Sequence, residues 1–109
     1  MELNDLQKRA LEVREKYIQL QTEQYGKPWN VAEIAQGLTV DIGELTELIM
    51  AKNKMRKYKG TDLDADLAHE ISDVLWNIFV LADKLNINLE TEFMKTMDQL
   101  DNKFANNTI

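Results

Sequence analysis

The sequence predicts an all-α protein built from four helices. Glycine occurs 4 times and proline once in 109 residues, while residues that favour helices, such as Leu, Ala, Glu, Lys and Met, fill most of the chain. Apolar residues also recur at steps of three and four, which is the period of an amphipathic helix. Because the connections between these segments are short, we expect neighbouring helices to be antiparallel, as in a four-helix bundle.

Helix one is predicted from Leu3 to Tyr25, where apolar residues repeat at helical spacing. Its other face carries Lys, Arg, Glu and Gln, which indicates a solvated surface. Gly26 suits the position after a helix end, and Pro28 cannot continue a helix, so the two residues end the first helix.

Helix two is predicted from Val31 to about Lys57, with Asn30 as its N-cap. Gly37 and Gly43 lie inside this helix, where each glycine costs about 1 kcal/mol relative to alanine. Such glycines indicate a close approach by another backbone or by a ligand.

The remaining helices are predicted from their caps and periodicity. A loop over residues 58–64, with Thr61 in a position that resembles a capping box, precedes helix three, which extends to about Leu85. Asn88 is the expected N-cap of helix four, which ends at about Phe104.

Helices two and three are apolar on most of their surface, so we expect them to be buried or to pair with another subunit. Their main apolar stripes are Val31, Ile34, Leu38, Ile42, Leu45 and Ile49 in helix two, and Leu67, Ile71, Val74, Ile78 and Leu85 in helix three.

Length and charge limit the class of protein. The chain has the size of a single domain, residues 1–109. Its net charge of −6 argues against a nucleic-acid partner bound through phosphate neutralisation. The absence of cysteine is typical of a reducing compartment, and no apolar run has the length of a membrane span, so we expect a cytoplasmic protein without a membrane partner.

Two pairs of carboxylates stand in these apolar segments, Glu44 with Glu47 and Glu70 with Asp73. Residues three apart on a helix point the same way, so each pair offers two oxygen-bearing groups to one point in space. Two such helices packed face to face would bring four carboxylates together. Because like charges in a partly buried place are costly, the arrangement predicts a site for a hard divalent cation such as Mg²⁺.

Acidic pairs with this spacing are also common on solvated helix faces, and the chain contains two for comparison. Glu12 and Glu15 are flanked by basic residues, and Asp98 with Asp101 has the same spacing, so we interpret both pairs as surface. By contrast, no Lys or Arg occurs in residues 32–51 or 60–83. The pairs in helices two and three therefore lack a compensating cation nearby in sequence.

Other metal sites and covalent catalysis fit the sequence poorly. Asp62, Asp64 and Asp66 alternate as at the start of a calcium-binding EF-hand loop, but Leu67 stands where that loop requires glycine. The only histidine, His69, gives no Glu-x-x-His motif of the kind that di-iron bundles use, so we interpret it as a surface residue or one that supports a ligand. Cysteine catalysis is excluded because the chain has no cysteine.

The carboxylates and their surroundings resemble a known family. Glu44-Leu45-Thr46-Glu47 and, after 22 residues, Glu70-Ile71-Ser72-Asp73 are similar to the E-x-x-E…E-x-x-D signature of the MazG-like all-α nucleoside triphosphate pyrophosphohydrolases. The runs Val40–Leu48 and His69–Leu75 resemble that family's "GEVGELxE" and "EExxDVL" stretches, and the similarity covers residues 25–104. The resemblance implies cleavage of a nucleoside triphosphate to the monophosphate and pyrophosphate, with Mg²⁺ as cofactor, in house-cleaning of the nucleotide pool. It also implies a MazG-like bundle completed as a homodimer or homotetramer.

The site residues are expected to have different roles in such a reaction. Glu44, Glu47, Glu70 and Asp73 would bind Mg²⁺, which Mn²⁺ is able to replace at carboxylate sites. Glu44 or Glu47 would also accept a proton from the attacking water, as the catalytic base. Attack at the α-phosphorus follows from the family resemblance alone.

Five further residues are candidates for contacts with the substrate. Lys54 lies just beyond the first carboxylate pair and could bind phosphate, although a basic residue also suits a solvated helix end. Trp29 could stack on a base or simply pack, and Asn77 follows Asp73 by one turn. Lys95 and Asn102 in helix four correspond, through the resemblance, to the family's Lys- and Asn-bearing last helix.

The sequence leaves two alternatives open. The chain could be a helical interaction or regulatory module without catalysis, although all four acidic positions are intact. Among the enzymes, a phosphoribosyl-ATP pyrophosphatase or a relative that prefers dUTP or dCTP fits the same signature, because base selectivity depends on the shape of the binding site.

Overall fold

The computed structural model describes residues 1–107, and this part of the chain is all-helical, as predicted. It contains four helices and no strand. The last two residues of the predicted domain lie outside the described part. The helices are α1 (Leu3–Tyr25), α2 (Val31–Lys52), α3 (Leu63–Lys84) and α4 (Leu89–Ala105).

Three of the predicted helix ends are confirmed by their hydrogen bonds. Gly26 adopts the left-handed conformation with φ 80° and donates its N–H to the carbonyl of Thr22 at the end of α1. Asn30 caps α2: its side chain accepts the N–H of Glu33, and the Glu33 carboxylate accepts the N–H of Asn30. Asn88 caps α4 with its side chain alone, which accepts the N–H of Thr91 at 3.2 Å.

The predicted end of helix two at about Lys57 is wrong, since α2 ends at Lys52. Lys54 adopts a left-handed conformation with φ 61°, and the next N–H, of Met55, bonds to the carbonyl of Met50 at 2.8 Å. This pattern closes a helix end as a Schellman turn, usually with glycine at the left-handed position. Lysine there gives no signal in the sequence.

The start of α3 also differs from the prediction. The N-cap is Asp62, whose carboxylate accepts the N–H of Ala65 at 3.1 Å, so Thr61 does not cap the helix. Aspartate is a stronger N-cap than threonine, and the helix begins one residue later than a Thr61 cap would place it.

The packing is centred on α3, which lies between α1 and α2, while α4 makes little contact with the other helices. Lys52 bonds to Asp64 and Asp41 bonds to Asn77, so α2 and α3 run antiparallel. The indole N–H of Trp76 in α3 donates to the carbonyl of Ala10 in α1. The buried apolar residues are few: Ala10, Ile34, Phe79, Val80 and Ala82.

The apolar stripes of α2 and α3 are only partly covered within the chain. Ile34 is buried, but Ile42, Ile49, Ile71 and Ile78 are exposed. The sequence pattern alone did not distinguish the covered half of each stripe from the exposed half. In the described part of the chain, none of the helices combines the length and apolar character needed to cross a membrane.

Candidate functional site

Four carboxylates converge where α2 packs against α3. One oxygen each from Asp41, Glu44 and Glu70 lies within 4.8 Å of the others, and His69, Glu70 and Asp73 form a second group of the same size. Glu70 belongs to both groups. We refer to Asp41, Glu44, Glu70 and Asp73 as the carboxylate cluster.

The electrostatics of the cluster centre on Glu70. Its Oε2 atom is buried and has no hydrogen-bond partner within the described chain. Burial raises the pKa of the Glu70 carboxyl, and the charges of Glu44 and Asp73 raise it further. The charge of Asp41 acts in the same direction, and His69 opposes the shift. An unpartnered carboxylate among three others is destabilising unless a proton or a cation joins it.

Glu47, the fourth predicted ligand, lies at the edge of this arrangement. It is exposed and forms an ion pair with Arg56, whose Nη1 is 3.4 Å from its Oε1. Together with Glu44 and Glu70 it lines a cavity of about 250 Å³, which we call the carboxylate cavity. The structure thus brings Glu44 and Asp73 each within 4.8 Å of Glu70 and leaves Glu47 at the rim of the cavity.

Asp41 is the cluster member that sequence reasoning missed. It precedes Glu44 by three residues, so the spacing that identified the pair Glu44 and Glu47 also places Asp41 on the same face. The side-chain amide of Asn77 donates to Asp41 Oδ2 at 2.7 Å and to the carbonyl of Asp73 at 3.1 Å. Asn77 therefore supports the cluster from the side, in the position that its place one turn after Asp73 suggested.

His69 is exposed at the opposite side of the cluster. Its Nε2 lies 3.1 Å from Asp73 Oδ2. With one nitrogen beside a carboxylate oxygen, His69 is able either to orient Asp73 or to contribute a nitrogen ligand.

A second cavity, of about 480 Å³, adjoins the cluster. It lies between α1, the loop of residues 26–30, α2 and α3, and Asp41 and Asp73 of the cluster form part of its wall. We call it the aromatic cavity, after the side chains of Tyr17, Tyr25, Trp29 and Trp76 that line it. A ligand in it would have aromatic rings and two carboxylates to contact.

Trp29 is held in this wall by both of its backbone polar groups. Its N–H donates to Gln21 Oε1 at 2.8 Å, and its carbonyl accepts from Arg14 Nη2 at 3.0 Å. Its ring lies so close to Gly37 that a Cβ at Gly37 would be 3.2 Å from the ring. The close approach expected at the glycines of α2 is therefore made at Gly37 by a side chain, whereas no atom lies within 4 Å of such a Cβ at Gly43.

The other candidates for substrate contact line neither cavity. Lys54 is in the turn after α2, and Lys95 and Asn102 are on α4, which packs little against the rest of the chain. Arg56, through its ion pair with Glu47, is the basic side chain that the structure brings to the carboxylates.

No protein-family model matches this chain, and no curated protein or solved structure matches it either. The resemblance to the pyrophosphohydrolases therefore depends on the signature residues themselves. What the structure adds is that Glu44 and Asp73 both lie beside Glu70 between two antiparallel helices, with Glu47 at the rim.

Proposed function

We propose that the chain is a Mg²⁺-dependent nucleoside triphosphate pyrophosphohydrolase, which releases a nucleoside monophosphate and pyrophosphate and serves to clean the nucleotide pool. The observation that carries the proposal is the buried, unpartnered Oε2 of Glu70 within a cluster of carboxylates. Such a group is satisfied by a cation, and the sequence around it resembles the signature of this enzyme family.

The donor set fits Mg²⁺. All four members of the carboxylate cluster offer oxygen, the ligand atom that hard divalent cations prefer, and they belong to two rigid helices. Mn²⁺ is suited to the same ligands. Asp41, Glu44, Glu70 and Asp73 would hold the ion, with Glu47 at the rim.

The protein groups around this site can perform the steps of phosphoanhydride hydrolysis. When bound, Mg²⁺ neutralises phosphate charge and lowers the pKa of water. Glu44 or Glu47 accepts the proton of the attacking water, since both carboxylates line the carboxylate cavity. Asn77 holds Asp41 in place, and the guanidinium of Arg56 is available to a phosphate oxygen at the same edge.

The adjoining cavities support one orientation of the nucleotide. A base beside Trp29 and the other rings of the aromatic cavity would leave its phosphates to reach Asp41 and Asp73, which line that cavity and belong to the carboxylate cluster. Stacking on aromatic rings suits every base because each base has a flat π-face.

The test is a panel of standard and modified nucleoside triphosphates with Mg²⁺, in which pyrophosphate and orthophosphate are measured separately. Pyrophosphate as the first product is expected. Glu47→Gln and Asp73→Asn should each lower the rate by at least about tenfold while circular dichroism shows an unchanged helix content. Orthophosphate as the first product, or full activity in both variants, would refute the proposal.

A helical interaction module without catalysis is the second candidate. It is favoured by the apolar side chains that the single chain leaves exposed, among them Ile71 and Phe104. The absence of turnover on every nucleotide in the panel, with Mg²⁺ bound, would favour this candidate over the enzyme.

The same exposed surfaces lead us to propose that the bundle is completed by self-association, as a homodimer or homotetramer. α4 has no buried residue within the chain. A second copy has matching apolar surfaces and would cover them.

A further inference from the structure

A buried cation lies in the α1 wall of the aromatic cavity without a counter-ion. Arg14 is 4 % exposed and forms no ion pair within residues 1–107. Its Nη1 donates to Gln21 Oε1 at 3.2 Å and its Nη2 to the carbonyl of Trp29, while its Nε has no partner. Burial lowers the pKa of Arg14. An arginine kept in so unfavourable a place calls for a reason beyond stability.

The hydrogen bonds of Arg14 determine the orientation of a neighbouring amide. Gln21 Oε1 accepts from Arg14 Nη1 at 3.2 Å and from the N–H of Trp29 at 2.8 Å, which occupies both lone pairs of that oxygen. Turning the amide over would place its N–H groups against two donors. Gln21 therefore keeps its Nε2 as a donor, and within the described residues that nitrogen has no hydrogen-bond partner.

The buried polar groups differ in hydrogen-bonding character between the two walls of the aromatic cavity. On the α1 wall, the buried groups Arg14 and Gln21 Nε2 can only donate, while the exposed side chains of Tyr17, Gln24 and Tyr25 on the same wall can donate or accept. On the α2 and α3 wall, Asp41 and Asp73 accept, and Asn77 uses its amide nitrogen for both of its bonds, so its oxygen is left as an acceptor. Aromatic rings from α1, the loop of residues 26–30 and α3 complete the lining.

We infer that the aromatic cavity selects a nucleobase that presents a carbonyl oxygen, rather than an amino group, to the α1 wall. Gln21 Nε2 is the donor to that oxygen, and Arg14 is a positioning residue that fixes the Gln21 amide. The inference rests on the proposed function for the placement of the phosphates at the carboxylate cluster. Uracil and hypoxanthine carry a carbonyl where cytosine and adenine carry an amino group, and an amino group facing Gln21 Nε2 would leave two donors unpaired.

The test measures binding, so that it does not depend on turnover. Dissociation constants of UMP, CMP, IMP and AMP are determined by isothermal titration calorimetry in the presence of Mg²⁺. UMP should bind at least about tenfold more tightly than CMP, and IMP more tightly than AMP by a similar factor, since one hydrogen bond is gained and an unpaired donor is avoided.

Three variants separate recognition from structure. Gln21→Glu still accepts from Arg14 and Trp29 but has no N–H to donate, so the ratio of the UMP and CMP constants should fall to about one or reverse. Arg14→Met removes one of the two donors to Gln21 Oε1 and leaves the N–H of Trp29 as the other, so the amide is held less firmly and the same ratio should fall in part. Arg14→Lys should bring the ratio back towards the native value. Gln19→Glu is the matched control, because Gln19 is exposed on the same helix and lines neither the aromatic nor the carboxylate cavity, and its ratio should equal that of the native chain.

The outcomes distinguish this inference from the proposed reaction. The protein could bind UMP and IMP preferentially, lose this preference in Gln21→Glu, and release no pyrophosphate. That result supports the inference and rejects the proposed reaction. Conversely, the protein could release pyrophosphate and bind all four monophosphates equally, or Gln21→Glu could leave the ratio of the UMP and CMP dissociation constants unchanged. Either result overturns the inference, while the proposed reaction stands. Failure of all four to bind also overturns it.

Discussion

Two residues, Arg14 and Glu70, carry the buried polar atoms that have no hydrogen-bond partner in the described chain. Buried polar groups are almost always paired in folded proteins, so such exceptions require an explanation. Arg14 lines the aromatic cavity and Glu70 lines the carboxylate cavity. The two unpartnered groups have opposite charge and stand in adjoining cavities. A bound cation would satisfy Glu70, whereas Arg14 remains in its buried place through its hydrogen bonds to Gln21 and Trp29 and positions the Gln21 amide.

Substitution of Glu70 tests the electrostatic part of this explanation. The pKa of Glu70 is raised in the folded chain, so the folded state binds the proton more tightly than the unfolded state does. The free energy of unfolding of the metal-free protein should therefore fall as the pH rises from the ordinary carboxyl range through the raised value. Glu70→Gln should lessen this fall and be more stable than the native chain at neutral pH, as measured by urea unfolding at a series of pH values.

Addition of Mg²⁺ should offset the destabilisation that the unpartnered Glu70 carboxylate causes in the folded chain. At a concentration about 100 times the dissociation constant, an ion that binds only the folded state raises the free energy of unfolding by about 2.7 kcal/mol. This gain should be lost in Glu70→Gln and retained in Glu12→Gln, which alters an acidic pair of the same spacing on the exposed face of α1. An equal gain in both variants would place the ion elsewhere.

At the scale of elements, the sequence was sufficient where local chemistry determines the structure. Glycine and asparagine signals located the end of α1 and the starts of α2 and α4. The left-handed position that ends α2 is occupied by Lys54, which is not a residue typical of such a position.

In the site, helical spacing predicted the carboxylate pairs. Which carboxylate is buried depends on the distance between α2 and α3, which spacing within one helix does not determine. The polar pattern of α1 indicates a solvated face, and it does not show that the loop after α1 folds back over Gln21.

The capping box at Asn30 matters for the site because it fixes the junction between the Trp29 loop and α2. Asn30→Ala should lower the free energy of unfolding by about 1 kcal/mol, since it removes the acceptor for the N–H of Glu33. Gln36→Ala, at an exposed position in the same helix, should change it by less than about 0.5 kcal/mol. Equal effects of the two substitutions in urea unfolding followed by circular dichroism would show that the box does not anchor the helix.

At the scale of the whole molecule, the single chain is too extended for a compact bundle. Its radius of gyration is 17.2 Å, whereas a compact domain of about 100 residues has one of about 13 Å. α4 explains the difference, because it makes little contact with the other helices and Phe104 on it is 72 % exposed. One side of α4 carries an apolar stripe at steps of four and three residues, formed by Phe93, Met97, Leu100 and Phe104. Lys95 and Asn102 lie on the opposite side, so packing of α4 through its apolar stripe would turn these two predicted substrate contacts away from the packed interior.

Self-association through this stripe can be measured directly. The native chain should sediment with two or four times the mass of one chain at micromolar concentration, because an exposed apolar stripe is stabilised by a second copy. Leu100→Glu should shift it towards the monomer, since an ionised carboxylate cannot be buried there without a partner. Gln99→Glu adds the same charge at a neighbouring polar position of α4 and should leave the mass unchanged. A native chain that sediments as a monomer would contradict self-association through α4. Nucleotide binding by that monomer would show that the aromatic and carboxylate cavities are complete within one chain.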